Sequence, residues 1–171
     1  APQPKERCLV LECPAQYYTN FTYGTQHCWG VTCVNDMEAM LSYQPITIGD
    51  KEQALADLVR CYEKMMMRSH TNGGYVNLLD ECWKMCEKFH TNIVIMYDHV
   101  SCKNVGGLHG LFEDQARERG IHLIWIPHDV MDPRTVSRRE MREAFSQYMV
   151  TVLNEKPLDP TLLDYEDTLS W

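Results

Sequence analysis

A chain of 171 residues with 24 acidic and 16 basic side chains, formal charge −8, is long enough for one self-supporting core and too acidic to favour a phosphate backbone. No apolar run approaches the roughly 20 residues that cross a bilayer, and Ala1 to Arg7 lacks the apolar stretch of a signal peptide. The expectation is a soluble, cytoplasmic chain that binds neither nucleic acid nor membrane.

Eight cysteines and the sequon Asn20-Phe21-Thr22 raise the alternative of a disulfide-bonded secreted domain. Against it, several cysteines fall on predicted helix or strand faces of a strongly patterned α/β sequence that also holds ten methionines.

Four short apolar runs, Cys8 to Glu12, Gly30 to Val34, Asn92 to Tyr97 and Ile121 to Ile126, alternate with helical patterns. Pro14 to Trp29 carries Tyr17, Tyr18, Phe21 and Tyr23 and is read as a helix. A second helix starts at Asp50, an N-cap with Gln53 at the capping-box position, and repeats Leu55, Leu58, Val59, Tyr62 and Met66 on one face; Met65 to Met67 read as adaptable core. After Gly73-Gly74 a third helix has the stripe Tyr75, Leu78, Leu79, Cys82, Cys86 and Phe89. Ile93-Val94-Ile95-Met96 has no polar alternation, as a central strand buried on both faces would not. A helix over 107–119 ends at Gly120, and a last helix opens on the capping box Ser137-Arg138-Arg139-Glu140, presents Met141, Phe145, Tyr148, Met149 and Val152, and stops at Pro157. Residues 157–171 form an acidic extension with four acidic groups and no basic one, laid over a neighbouring surface.

Strand–helix alternation with right-handed crossovers gives one three-layer, flavodoxin-like (Rossmann-like) α/β domain over residues 1–156, with a mainly parallel sheet of about four strands in the order 2-1-3-4. Ligands then gather where the strand order reverses, outside the carboxyl ends of the first and third strands. The loops there hold Cys13-Pro14 and Asp98-His99-Val100-Ser101-Cys102-Lys103-Asn104, followed by Gly106-Gly107.

Cys102 stands out: a thiol on a loop, near a helix start and beside Lys103, has the setting of a metal ligand or nucleophile. The alternative is a small buried residue in a strand-to-helix turn. His99 could approach the same site or be a hydrogen-bonded structural histidine, and Lys103 could steady an anion or be solvated. Cys13 ends the first strand next to the switch point. Cys82 and Cys86, one turn apart, read as core, and Asp129 with Asp132-Pro133 as a turn rather than a metal-binding pair. No Gly-x-Gly-x-x-Gly, Gly-x-x-x-x-Gly-Lys-Ser/Thr or Gly-x-Ser-x-Gly is present.

Two segments, Asp98-His99-Val100-Ser101-Cys102-Lys103 after a buried strand and Gly120-Ile121 through Asp129-Val130-Met131-Asp132-Pro133-Arg134, resemble the last domain of subunits in the benzoyl-CoA reductase and 2-hydroxyacyl-CoA dehydratase family. The similarity spans roughly residues 88 to 150, and the first forty residues fit loosely. The resemblance implies a heterodimer of two related catalytic subunits, oxygen-sensitive and cytoplasmic, acting on an acyl-CoA or aryl-CoA. It implies a 4Fe-4S cluster with Cys102 as the ligand from this domain, Cys13 as a second candidate, and the other ligands outside this chain. An ATP-hydrolysing iron–sulfur activator would deliver the electron. His99 and Lys103 are the catalytic candidates, and Ser101 and Asn104 candidate substrate contacts. Thr135 to Trp171 has more of the reductase look, with the dehydratase as the alternative. The length suits a carboxy-terminal portion of a longer polypeptide or a stand-alone relative working beside separate chains, with little activity of its own. The competing reading is a non-catalytic α/β interaction module.

Overall fold

A computed structural model describes residues 5–37, 45–63, 65, 68 and 73–164. Among them are strands β1 (Glu6–Leu11), β2 (Val31–Asp36), β3 (Ile93–His99) and β4 (His122–His128). The helices are α1 (Phe21–Trp29), α2 (Lys51–Glu63), α3 (Tyr75–Phe89), α4 (Lys103–Gly106), α5 (His109–Arg119) and α6 (Arg138–Thr151), followed by a 3-10 turn over Pro160–Leu162. The sheet is parallel throughout, in the order β2-β1-β3-β4, with Leu11 opposite Met96 and His99 opposite His128. This is the flavodoxin-like arrangement that the alternating pattern implies.

Pleating sends successive side chains to opposite faces, so each inner strand feeds two cores. Cys8, Val10, Ile93, Ile95, Tyr97, Ile124 and Ile126 pack under α1 and α6, against Phe21, Cys28, Trp29, Met141, Phe145 and Met149. Leu9, Leu11, Val94, Met96 and Leu123 pack under α3, α4 and α5, against Leu78, Leu79, Cys82, Trp83, Cys86, Val105, Phe112 and Ala116. Ile93, Val94, Ile95 and Met96 are fully buried, as expected of a central strand. Each such side chain contributes about 1.5–3 kcal/mol relative to exposure.

Local signals decide most boundaries. Ser137 Oγ accepts from the Glu140 amide at 3.2 Å, and the Glu140 carboxylate accepts from the Ser137 amide at 2.6 Å, the expected capping box. Asp50 Oδ1 accepts from the Glu52 and Gln53 amides at 3.1 Å and caps α2. Gly120 ends α5 at φ +66°.

Several expectations are corrected. Residues 14–20 are not helical: Tyr17 Oη donates to the Val136 carbonyl at 2.5 Å and Arg138 Nε to the Tyr17 carbonyl at 2.8 Å, anchors that hold turns rather than a helix until Phe21. The helix expected over 107–119 is α5, which starts two residues later at His109, and a separate short helix, α4, precedes it. Helix α6 ends before Pro157, because Asn154 turns left-handed at φ +52° and the Glu155 amide returns to the Met149 carbonyl at 2.9 Å. Val152 and Tyr75, placed on apolar stripes, are exposed.

The largest difference is α2. Leu55, Leu58, Val59 and Tyr62 are 41–64% exposed, and the residue buried on this helix is Asp57. Its carboxylate accepts from the Thr47 amide and hydroxyl, from Gln53 and from Arg60 at 2.8–2.9 Å. These bonds, with the Thr47 amide and hydroxyl leading, hold its pKa below the ordinary carboxylate value. Met66 and Met67 lie outside the described residues.

The C-terminal extension lies over α1 as far as it is described. The Leu158 amide donates to the Cys28 carbonyl at 2.7 Å, and Leu162 and Leu163 pack on the first core. Leu169 to Trp171 lie outside the described residues.

Candidate functional site

Three loops meet at the carboxyl end of the sheet, where β1 and β3 part. After β1 the chain passes Glu12 at φ +69°, a conformation that side chains with a Cβ rarely adopt, then half-buried Cys13. The Gln16 amide donates to the Val130 carbonyl at 2.8 Å, tying this loop to the one after β4. The Val100 amide donates to the His128 carbonyl at 3.0 Å, tying the loop after β3 to β4.

The loop 99–104 brings together five of the sequence-derived candidates. The Cys102 amide donates to the His99 carbonyl at 2.9 Å, and the Cys102 carbonyl accepts from Gly106 at 3.1 Å. Cys102 is thus the N-cap residue of α4, half-buried and packed against the core on the α3–α5 side. Helix α4 has only four residues, so it brings little of the aligned dipole of a long helix. Ser101, Lys103 and Asn104 are exposed at the mouth. His99 Nδ1 accepts from the Ser101 amide at 3.1 Å and lies 3.0 Å from the Ser101 hydroxyl. A nitrogen that accepts from an amide carries no proton, so the neutral ring has its proton on Nε2.

His99 and Cys102 serve opposite faces. His99 follows Tyr97 onto the α1–α6 side and meets His128 ring edge to ring face, 5.4 Å apart and at 90°. His128 is 1% exposed, and neither ring nitrogen has an aligned hydrogen bond. Burial pushes its pKa down, while the backbone of Cys13 and of Asp98 alongside the ring pulls the other way. On the Cys102 side the nearby histidine is His109. Its Nε2 lies 3.3 Å from Asp98 Oδ2, and its ring stacks on Trp125 at 3.7 Å and 20°. Trp125 Nε1 donates to Glu113 at 3.2 Å.

His109, Trp125 and His128 were missed by sequence reasoning. For His128 a signal existed, since it ends a strand at the mouth of the sheet. For His109 and Trp125 none did, because their meeting depends on how α5 packs on β4.

Asp129 and Asp132 build a turn, as expected. Asp129 Oδ1 accepts from the Met131 and Asp132 amides at 2.8 Å, and Asp132 pairs with Arg134. That guanidinium contact draws the Asp132 pKa down to about 2.

Among the described residues no three His, Cys, Asp or Glu side chains group as a metal site. The described residues therefore do not by themselves enclose a cluster. No described helix is long and apolar enough to cross a membrane.

Residues 1–149 match the family described as "2-hydroxyglutaryl-CoA dehydratase, D-component". The match takes in the first forty residues, which the motifs alone left loosely placed. No curated protein matches the chain. A parallel 2-1-3-4 sheet, the Ser-Cys-Lys loop at its switch point and a family match over nearly the whole described chain agree: the chain belongs to the 2-hydroxyglutaryl-CoA dehydratase D-component family, as part of a 2-hydroxyacyl-CoA dehydratase-type enzyme.

Proposed function

We propose that this chain supplies Cys102 as one ligand of an iron–sulfur cluster in a multisubunit enzyme that acts on CoA thioesters. The observation that carries this reading is the position of Cys102: a half-buried thiol capping α4, on the loop after the central strand, at the switch point of a chain of this family. A 4Fe-4S cluster, when bound, supplies one-electron chemistry at low potential, tuned by burial and by hydrogen bonds to sulfur.

The residues around Cys102 do the rest. The core on the α3–α5 side covers one flank of the thiol and excludes water there. His99, its Nδ1 occupied by the Ser101 amide, fixes the loop from the other face of the sheet, where its ring meets His128. Lys103 and Asn104 stand exposed at the mouth, where a cation and an amide can meet a thioester carbonyl or phosphate groups of CoA. Cys13, on the loop after β1 with its backbone beside His128, is the second candidate ligand.

The remaining cluster ligands come from outside these residues, and the electron from an ATP-dependent iron–sulfur activator. The exposed apolar face of α2 supports work in an assembly with a related catalytic subunit. Alone, the chain is inactive. The family description favours dehydration of a 2-hydroxyacyl-CoA over reduction of an aryl-CoA such as benzoyl-CoA. The test is to assay the anaerobically purified native assembly, with activator and ATP, against 2-hydroxyacyl-CoA and benzoyl-CoA. Turnover of the first alone supports the dehydratase, turnover of the second the reductase. Activity on neither, in an iron-free assembly, overturns the proposal in favour of an interaction module.

A further inference from the structure

Cys8 on β1 and Cys33 on β2 are register partners in adjacent parallel strands. Register partners point to the same face, so both thiols lie on the α1–α6 side, Cys8 in the core and Cys33 packed against it, with the Cys33 thiol donating to the Asn35 carbonyl at 3.4 Å. Neighbouring strands lie about 4.8 Å apart, inside the roughly 4.4–6.8 Å between Cα atoms that a disulfide spans. The ladder is irregular here, because Leu9 pairs with Asn35 and leaves Val34 as an extra residue directly after Cys33, which gives β2 slack at this point. Cys8 is sealed in the core, whereas Cys33, on the edge strand, is half-buried.

The two thiols are unequal. The pairing with Cys33 and burial raise the Cys8 pKa, whereas Cys33, half-buried on the edge strand, carries less of the burial penalty. Cys33 is therefore the sulfur that reaches the thiolate form first, and the thiolate is the nucleophile.

We infer that Cys8 and Cys33 form a reversible disulfide site that reacts with hydroperoxides. The Cys33 thiolate attacks the peroxide, the O–O bond breaks, alkoxide or hydroxide departs, and Cys33 becomes a sulfenic acid. Cys8 sulfur then displaces the sulfenic oxygen, which leaves with the Cys8 proton as water. Two thiols lose two electrons in all, and the peroxide gains them. A dithiol reverses the change by exchange.

Cys82 and Cys86 provide an internal comparison. They too share one core, but they are 0% and 2% exposed. Sealed on both sulfurs, neither offers a peroxide a point of attack.

The experiment uses the full chain, reduced, freed of reductant without air and treated with stoichiometric hydrogen peroxide. Thiols are then alkylated under denaturing conditions and the digest mapped by mass spectrometry. The expected product is a Cys8–Cys33 crosslinked peptide two hydrogens lighter than the thiol pair and restored by dithiothreitol, with Cys82 and Cys86 still alkylated. It persists in Cys102→Ser. In Cys8→Ser no crosslink forms and Cys33 is trapped as a sulfenic acid by a dimedone probe. Wild-type chain in which Cys33 stays reduced, goes on to the sulfinic acid, or pairs with another cysteine overturns the inference. This outcome is independent of the iron content and activity that test the proposed function.

Discussion

Phe112 is the side chain through which α5 holds the Cys102 side of the site in place. It is fully buried, 5.9 Å from Trp83 of α3 and 6.3 Å from Trp125 of β4, edge-on to both at 64° and 87°. Phe112→Ala removes the whole ring and leaves a cavity between three elements, a change that costs about 3–5 kcal/mol in well-packed cores. Of that, each edge-on aromatic pair contributes about 0.5–1.5 kcal/mol. Phe112→Leu keeps most of the apolar bulk, loses the two ring contacts and costs about half as much. Against a typical total of about 5–15 kcal/mol the alanine variant still folds. Urea unfolding of the 171-residue chain, followed by far-ultraviolet circular dichroism, reads the difference. With a slope of about 2 kcal/mol per molar, the midpoint falls by about 2 M for alanine and about 1 M for leucine. Amide exchange at residues 102–110 speeds up in step, because His109 opens α5 and is placed by the same packing. A midpoint shift below about 0.5 M for alanine, or unchanged exchange in that loop, would refute the role given to Phe112.

Other outcomes follow from the same structure. Because burial lowers the His128 pKa, the fold binds a proton there less readily than the unfolded chain does; its contribution to stability is complete above about pH 6.5 and is lost as pH falls below it. His128→Leu should flatten stability against pH between about 7 and 5, as read by urea midpoints, and an unchanged slope would count against this assignment. Gly120→Ala, at φ +66° with open space around the Cβ position, should cost about 1 kcal/mol through backbone conformation alone, visible in the thermal midpoint. Leu58→Ser with Tyr62→Ser, on the exposed face of α2, should change the stability of the separate chain by less than about 0.5 kcal/mol yet weaken its retention in the native assembly on size exclusion.

The sheet was legible because its signals are local or topological. Ile93 to Met96 shows no polar alternation, Ser137 and Glu140 carry their own cap, and right-handed crossovers leave few strand orders. What escaped depends on distant partners. A helical period shows that Leu55, Leu58, Val59 and Tyr62 share a face but not what covers it. The aromatic run at Tyr17 and Tyr18 looked helical, yet its conformation is set by Val136 and Arg138, more than a hundred residues on. The site divides in the same way. The switch-point rule found the Cys102 loop, but pleating and register decide that His99 meets His128 while Cys102 packs on the side of Trp125 and His109.

The most direct measurement is iron, acid-labile sulfide and low-temperature electron paramagnetic resonance on the anaerobically purified native assembly, wild type beside Cys102→Ser. The account predicts a reducible 4Fe-4S signal in the wild type that is lost or strongly altered in the variant, with iron falling in parallel and the assembly intact. Equal iron and an unchanged signal in the two proteins would contradict it.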